Sequence, residues 1–163
     1  VDVRCIVVTG ESVKNEKRVP HAWNMVNIDG QPYHLDVTWD IGAIGSSFKR
    51  IPYDYFNLSD QMIIKEHKAD TQLPTCSSMQ HNYFKANKRT FWLKSQAIAY
   101  VEKAFQDGDT EFYFRIEGRT VASDVAEKIY DQICIFFSKK GITDKRVKRI
   151  ANDKIGTCWI KIY

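Results

Sequence analysis

At 163 residues and 19.0 kDa the chain has room for one ordinary core, or a compact core with a small appended unit, and is too short for a large multidomain enzyme. Hydrophobic residues make up 44% and charged residues 27%, with 8 Gly and 4 Pro, which excludes a disordered tail or a fibre. The formal charge of +4 is spread along the chain apart from Lys139-Lys140, Lys145-Arg146 and Lys148-Arg149, and basicity this modest does not imply nucleic acid.

Taken in chain order, Arg4 to Thr9 is a short β-branched run that predicts a buried strand, closed by Gly10. Residues 11–18 are polar and without period, and predict a loop leading to Pro20. Two strand-like runs follow, His21 to Ile28 and Gln31 to Trp39, with Asp29-Gly30 between them as a hairpin turn. Residues 41–52 read as a Gly- and Ser-rich loop. Ser59 is a candidate N-cap for a helix running through Met62, Ile63 and Ile64 toward His67, and residues 69–78, with Pro74, read as irregular. In the second half, apolar residues at three- and four-residue spacing predict a helix from Ser95 through Phe105, ending near Gly108. Glu111 to Ile116 reads as a strand. Ser123 is a candidate cap for a second helix carrying Val125, Ile129, Ile133, Phe136 and Phe137, closed by Gly141. Cys158 to Tyr163 alternates as a last strand, with Arg146 to Ala151 as its pairing partner. The polar stretch Asn87-Lys88-Arg89 is the expected boundary, dividing the chain into 1–86 and 87–163.

The four cysteines, Cys5, Cys76, Cys134 and Cys158, form no C-x-x-C pair and no zinc-knuckle spacing, so buried free thiols are expected and the compartment stays open. No run approaches the roughly 18 apolar residues of a membrane-spanning helix, and no charged-then-apolar leader is present, so any targeting signal is expected outside this sequence.

The hairpin carries the chemistry. With Asp29-Gly30 as a two-residue turn, Ile28 faces Gln31, and the register places His21 opposite Thr38 and Trp23 opposite Asp36. His21 and Asp36 then share one face as diagonal neighbours, with Cβ atoms about 7 Å apart or less. A carboxylate held against an imidazole fixes its tautomer and stabilises imidazolium, leaving the other ring nitrogen to take a proton from a thiol or hydroxyl. The nucleophile is harder to find. Cys5, Cys134 and Cys158 sit in apolar strand or helix, and Cys76, in the loop Leu73 to Ser78, is the one internal candidate.

The residues His21-Ala22-Trp23-Asn24 and Leu35-Asp36-Val37-Thr38-Trp39-Asp40 resemble the core motifs of transglutaminase-like proteins, in which Val37 stands where proline is frequent. Cys5 to Gly10 is similar to the family strand that follows the cysteine-bearing helix. Asp54 to Ser59, His67, Pro74 to Cys76 and Asn82-Tyr83 look like the continuation seen in bacterial, particularly clostridial, members. The resemblance implies that His21 is the general base, that Asp36 orients it, and that the nucleophilic cysteine belongs to a segment upstream of Val1. It further implies an α+β fold, the later, strand-rich half of a transglutaminase or papain-like core, followed by a small helix-and-sheet C-terminal extension.

Thiol acyl transfer on a protein or peptide amide is the implied activity, inert in this chain alone, with no cofactor and no metal required. Members with this motif are often envelope-associated, so a cell-envelope partner and an extracellular or envelope location are further expectations. Trp23 and Trp39 are candidates to wall an acyl-substrate groove, although large aromatics beside a hairpin also simply fill a core. His34 shares the face of Asp36 and reads as exposed near the turn. His67, Asp70, Cys76 and His81 have metal-ligating types without a ligand spacing, and read as a structural loop. The C-terminal cationic cluster lacks interleaved aromatics and reads as a solvated face. A different class stays open: a binding or adhesion module that keeps the scaffold without catalysis.

Overall fold

The computed structural model describes residues 3–14, 16–43 and 52–163 and contains both helices and sheets, an α+β architecture in the coarse sense. The chain divides into two compact units, Val1–Asn87 and Lys88–Tyr163.

In the first unit, strands β1 (Arg4–Lys14) and β2 (Lys17–Ile28) pair along their whole length, from Arg4 with Asn27 to Lys14 with Lys17, and Glu16 in the connecting turn takes φ 64°. The polar stretch expected as a loop is therefore the far end of a hairpin. Ladder bonds come from the backbone, and a tight turn sets the register even where side chains are charged. The opposite correction applies to residues 4–9. Ile6 is 50% and Val7 69% exposed, because a β-branched run reports strand preference while burial depends on what covers its faces. Among the described residues, strand β4 (His67–Ala69) pairs with Gly10, Glu11 and Ser12 of β1.

Strand β3 (Gln31–Leu35) pairs with β2 from Ile28 opposite Gln31 to Asn24 opposite Leu35, so Asp29 (φ 53°) and Gly30 (φ 80°) form the expected two-residue turn. The sheet runs in the order β3-β2-β1-β4. Beyond Leu35 the expected register fails. Helix α1 (Val37–Ala43) begins there, with the Asp36 carboxylate accepting the Trp39 N–H at 3.0 Å and the Asp36 carbonyl accepting the Asp40 N–H at 3.1 Å. Asp36 is thus an N-cap, and His21 faces neither Thr38 nor any other residue of a continued β3. The part of the predicted 41–52 loop that is described begins inside α1, and residues 44–51 lie outside the described residues.

Helix α2 (Asp60–Ile63) follows Ser59, whose side chain makes no capping bond, and stops short of His67. Helix α3 (Tyr83–Ala86), not anticipated, is capped by the Asn82 side chain, which accepts the Phe84 N–H at 3.2 Å. Val8, Trp23, Met25 and Cys76 form this unit's hydrophobic cluster.

The second unit contains β5 (Thr90–Phe91), α4 (Lys94–Gln106), β6 (Glu111–Ile116), α5 (Ala122–Lys140), β7 (Val147–Asn152) and β8 (Thr157–Ile162), in the sheet order β5-β6-β8-β7. Ala97 and Val101 of α4, and Val125, Ile129 and Ile133 of α5, join a core with Phe112, Phe114 and Ile160 of the sheet. Helix α5 starts one residue before the predicted cap. Ser123 instead gives its N–H and hydroxyl to the Asp153 carboxylate at 2.7 and 2.8 Å, so a loop aspartate caps the helix from outside. Gly141 (φ 67°) ends it as expected. Among the described residues no helix is long and apolar enough to cross a membrane.

Candidate active site

The site is built around Gly10, which lies mid-strand rather than closing one. It pairs with His21 of β2 on one side and Ala69 of β4 on the other. A Cβ at Gly10 would stand 2.1 Å from the Lys68 carbonyl oxygen, so only glycine lets β4 approach β1 here. That approach sets His67 opposite Ser12, two positions along β1 from Gly10. By the two-residue alternation of strands, His21 and His67 project from the same face.

Asp36, at the junction of β3 and α1, meets both imidazoles. Its Oδ2 lies 2.6 Å from His21 Nε2 and 2.8 Å from His67 Nε2, while Oδ1 takes the Trp39 N–H. A carboxylate only accepts, so both Nε2 atoms carry the hydrogen. Burial works to raise the Asp36 pKa, but the hydrogen bonds from His67, the Trp39 N–H and His21 outweigh it and hold the carboxyl below its ordinary 3.8. Asp36 is fully buried and the His67 side chain is 1% exposed, whereas 13% of His21 reaches the surface. Among the described residues nothing bonds the second ring nitrogen of His21, Nδ1, which leaves it as the acceptor.

Aromatic rings surround the pair. Trp39, Trp23 and Tyr55 stand 4.9, 5.1 and 5.9 Å from His67 by ring centroids, and Trp23 stacks on His21 at 6.3 Å. Trp23 is only 3% exposed and belongs to the core, while half-buried Trp39 is the one with surface to offer a groove. One turn along α1, Asp40 is also buried, and its pKa is pushed up to about 8, chiefly by burial. Two carboxylates on one helix turn thus hold different protonation states at neutral pH, Asp36 ionised and Asp40 largely neutral.

His34 corrects another expectation, since it is 2% exposed. Its Nδ1 accepts the Trp23 indole N–H at 3.0 Å, and its Nε2 donates to Asp60 Oδ1 at 2.8 Å. Burial lowers its pKa against the pull of Asp60, so this ring is neutral with its tautomer locked. The other Asp60 oxygen accepts the Cys76 N–H at 2.9 Å.

The four side chains grouped by type in the sequence do not come together. His67 joins His21 and Asp36, Cys76 joins His34 and Asp60, His81 reaches exposed Asp29 at 3.4 Å, and Asp70 gives its N–H to the Thr9 carbonyl. Nor are the thiols uniformly buried, for Cys5 is exposed and Cys134 half-exposed. The Cys76 thiol is pushed up to about 12 by burial and by Asp60, the reverse of what a thiolate nucleophile needs. The buried Cys158 thiol is turned to the Ala122 carbonyl at 3.1 Å. In the cationic cluster, Arg149 pairs with Glu127 and lies 4.6 Å over the Tyr130 ring.

Sequence reasoning left His67 in a structural loop, whereas the structure sets it on Asp36 beside His21. Its signal was Gly10, because a glycine in an otherwise β-branched strand marks a close backbone approach, and the strand that approaches carries His67. A comparison with protein-family models and with curated proteins found no match for this chain.

Proposed function

We propose that His21 and Asp36 are the general base and orienting acid of a thiol acyl-transfer site of transglutaminase type, within the later, strand-rich part of such a core. The nucleophilic cysteine is supplied from outside these residues, on the grounds that Cys76 is held protonated and Cys5, the other cysteine of the same unit, does not bond His21. The observation that carries the reading is the 2.6 Å bond from His21 Nε2 to a buried, ionised Asp36, which leaves Nδ1 of the partly exposed His21 ring without a bond among the described residues. His21 Nδ1 takes the thiol proton, and the thiolate attacks an amide carbonyl. The proton then passes to the leaving amine as the thioester forms, and water or a second amine releases the acyl group. Asp36 keeps the ring in the Nε2–H tautomer throughout and stabilises imidazolium. Under this reading a protein or peptide is the substrate, and half-buried Trp39 flanks it.

The test is labelling by an electrophilic acyl probe in a protein carrying the upstream segment. Labelling is expected to vanish with His21→Ala and to fall by on the order of 10³–10⁴ with Asp36→Asn, which keeps the shape but loses the tautomer control. Labelling that ignores both changes would sink the proposal. Peptide or glycan binding that survives both, with no labelling at all, would favour a non-catalytic module instead.

A further inference from the structure

Among the described residues of the first unit, two three-residue groups bring histidine, carboxylate and a third donor together: His21, Asp36 and His67, and His34, Asp60 and Cys76. Their donor atoms lie within 4.8 Å of one another in each group, and the two differ in what a metal ion would have to undo. A metal binds the Nε2 lone pair of a neutral imidazole, so the proton must sit on Nδ1. In His34 that nitrogen already accepts the Trp23 N–H at 3.0 Å, and a proton placed there would set two donors against each other. In His67 the buried Nδ1 has no hydrogen-bond partner, so the proton can move to it at the loss of only the Nε2–H bond to Asp36, whose place the metal takes. His21 Nδ1 has none among the described residues either.

The geometry points to a transition-metal site at His21, Asp36 and His67, taking an ion of the Zn²⁺ or Co²⁺ class through two Nε2 atoms and Asp36 Oδ2. Two imidazoles and one carboxylate suit these borderline ions, whereas Ca²⁺ and Mg²⁺ require mainly oxygen ligands. Metal bonds of about 2.0–2.2 Å hold donors farther apart than hydrogen bonds do, so the 2.6 and 2.8 Å contacts must widen by several tenths of an ångström. His21 can supply that movement and the way in, since 13% of its side chain is exposed while Asp36 and His67 are enclosed. Asp36 Oδ1 stays on the Trp39 N–H, which keeps the carboxylate aimed.

The consequence, which rests on the function proposed above, is inhibition. With the metal on Nε2, His21 carries its proton on Nδ1 and can no longer accept one from a thiol. The ion therefore switches off the base without touching the nucleophile.

The chain as it stands can be titrated with Co²⁺ in a Cys5→Ser background, read by visible absorption. One equivalent is expected, with d–d bands and no thiolate charge-transfer band, and affinity should drop by more than the roughly 100-fold that losing an outer-shell partner costs, in His67→Gln and in Asp36→Asn alike. Zn²⁺ added to the unmodified chain should move the histidine ring resonances of His21 and His67 and leave His34 in place, a reading that requires no variant to fold. A thiolate band abolished by Cys76→Ser, shifts confined to His34, or no stoichiometric binding would each overturn the site. Co²⁺ bound as described without His21-dependent labelling of a protein that carries an upstream cysteine segment would remove the enzymatic reading alone. Labelling that persists under saturating Zn²⁺ would remove the inhibition.

Discussion

Asp36 does three things with one carboxylate: it caps α1, holds His21 and holds His67. Its pKa lies below the ordinary 3.8, so its stabilising contribution is complete above that value and is lost as pH falls through the lower folded pKa. Asp40 has the opposite sign. With a folded pKa of about 8 against 3.8, the folded state keeps a proton that the unfolded chain releases, and stability declines as pH rises across that window. Asp40→Asn retains the oxygen that accepts the Tyr55 N–H at 2.8 Å and removes the titration. Chemical denaturation of Asp40→Asn at pH 5 and pH 9 should therefore show a stability gain over the parent that is larger at pH 9. An equal difference at both values would mean that Asp40 is ionised in the fold. His34, though chemically similar to His67, is excluded from the same work because Trp23 occupies its second nitrogen.

At the scale of elements, the site depends on a strand only three residues long. Strand β4 brings in His67 because Gly10 leaves room for the Lys68 carbonyl. Gly10→Ala is expected to cost about 1–3 kcal/mol, the usual range for forcing an extra group into a packed position. It should also raise amide hydrogen exchange at residues 67–69 more than elsewhere in the sheet. Unchanged protection there would show that β4 does not need the glycine. In the second unit the loop carboxylate of Asp153 caps α5, and Asp153→Ala should lower stability by about 1 kcal/mol with the helix otherwise intact, measured by thermal melting.

Across the whole molecule the two units have separate hydrophobic cores, one around Trp23 and Met25 and one around Phe112, Phe114 and Ile129. The buried part of the second core draws on two helices and on strands β6 and β8 of its own unit, so a piece spanning 88–163 is expected to melt cooperatively by circular dichroism. A broad, featureless melt would show that this core is not self-sufficient.

Much of this fold is readable from residues alone because local physics decides it. Asp29-Gly30 sets a two-residue turn and with it the β2–β3 register as far as Leu35, and the spacing of Val125, Ile129 and Ile133 sets one face of α5. The pairing of His21 with Asp36 was also legible, but for a reason that the structure replaces. The two do not meet across a continued ladder, since β3 gives way to a helix capped by Asp36 itself. Only tertiary structure decided the rest: that His67 shares the carboxylate, that His34 is buried and locked, and that Ile6 and Val7 are exposed. Each of these depends on which distant segment packs against a residue, and such contacts leave no period or spacing in the sequence around it.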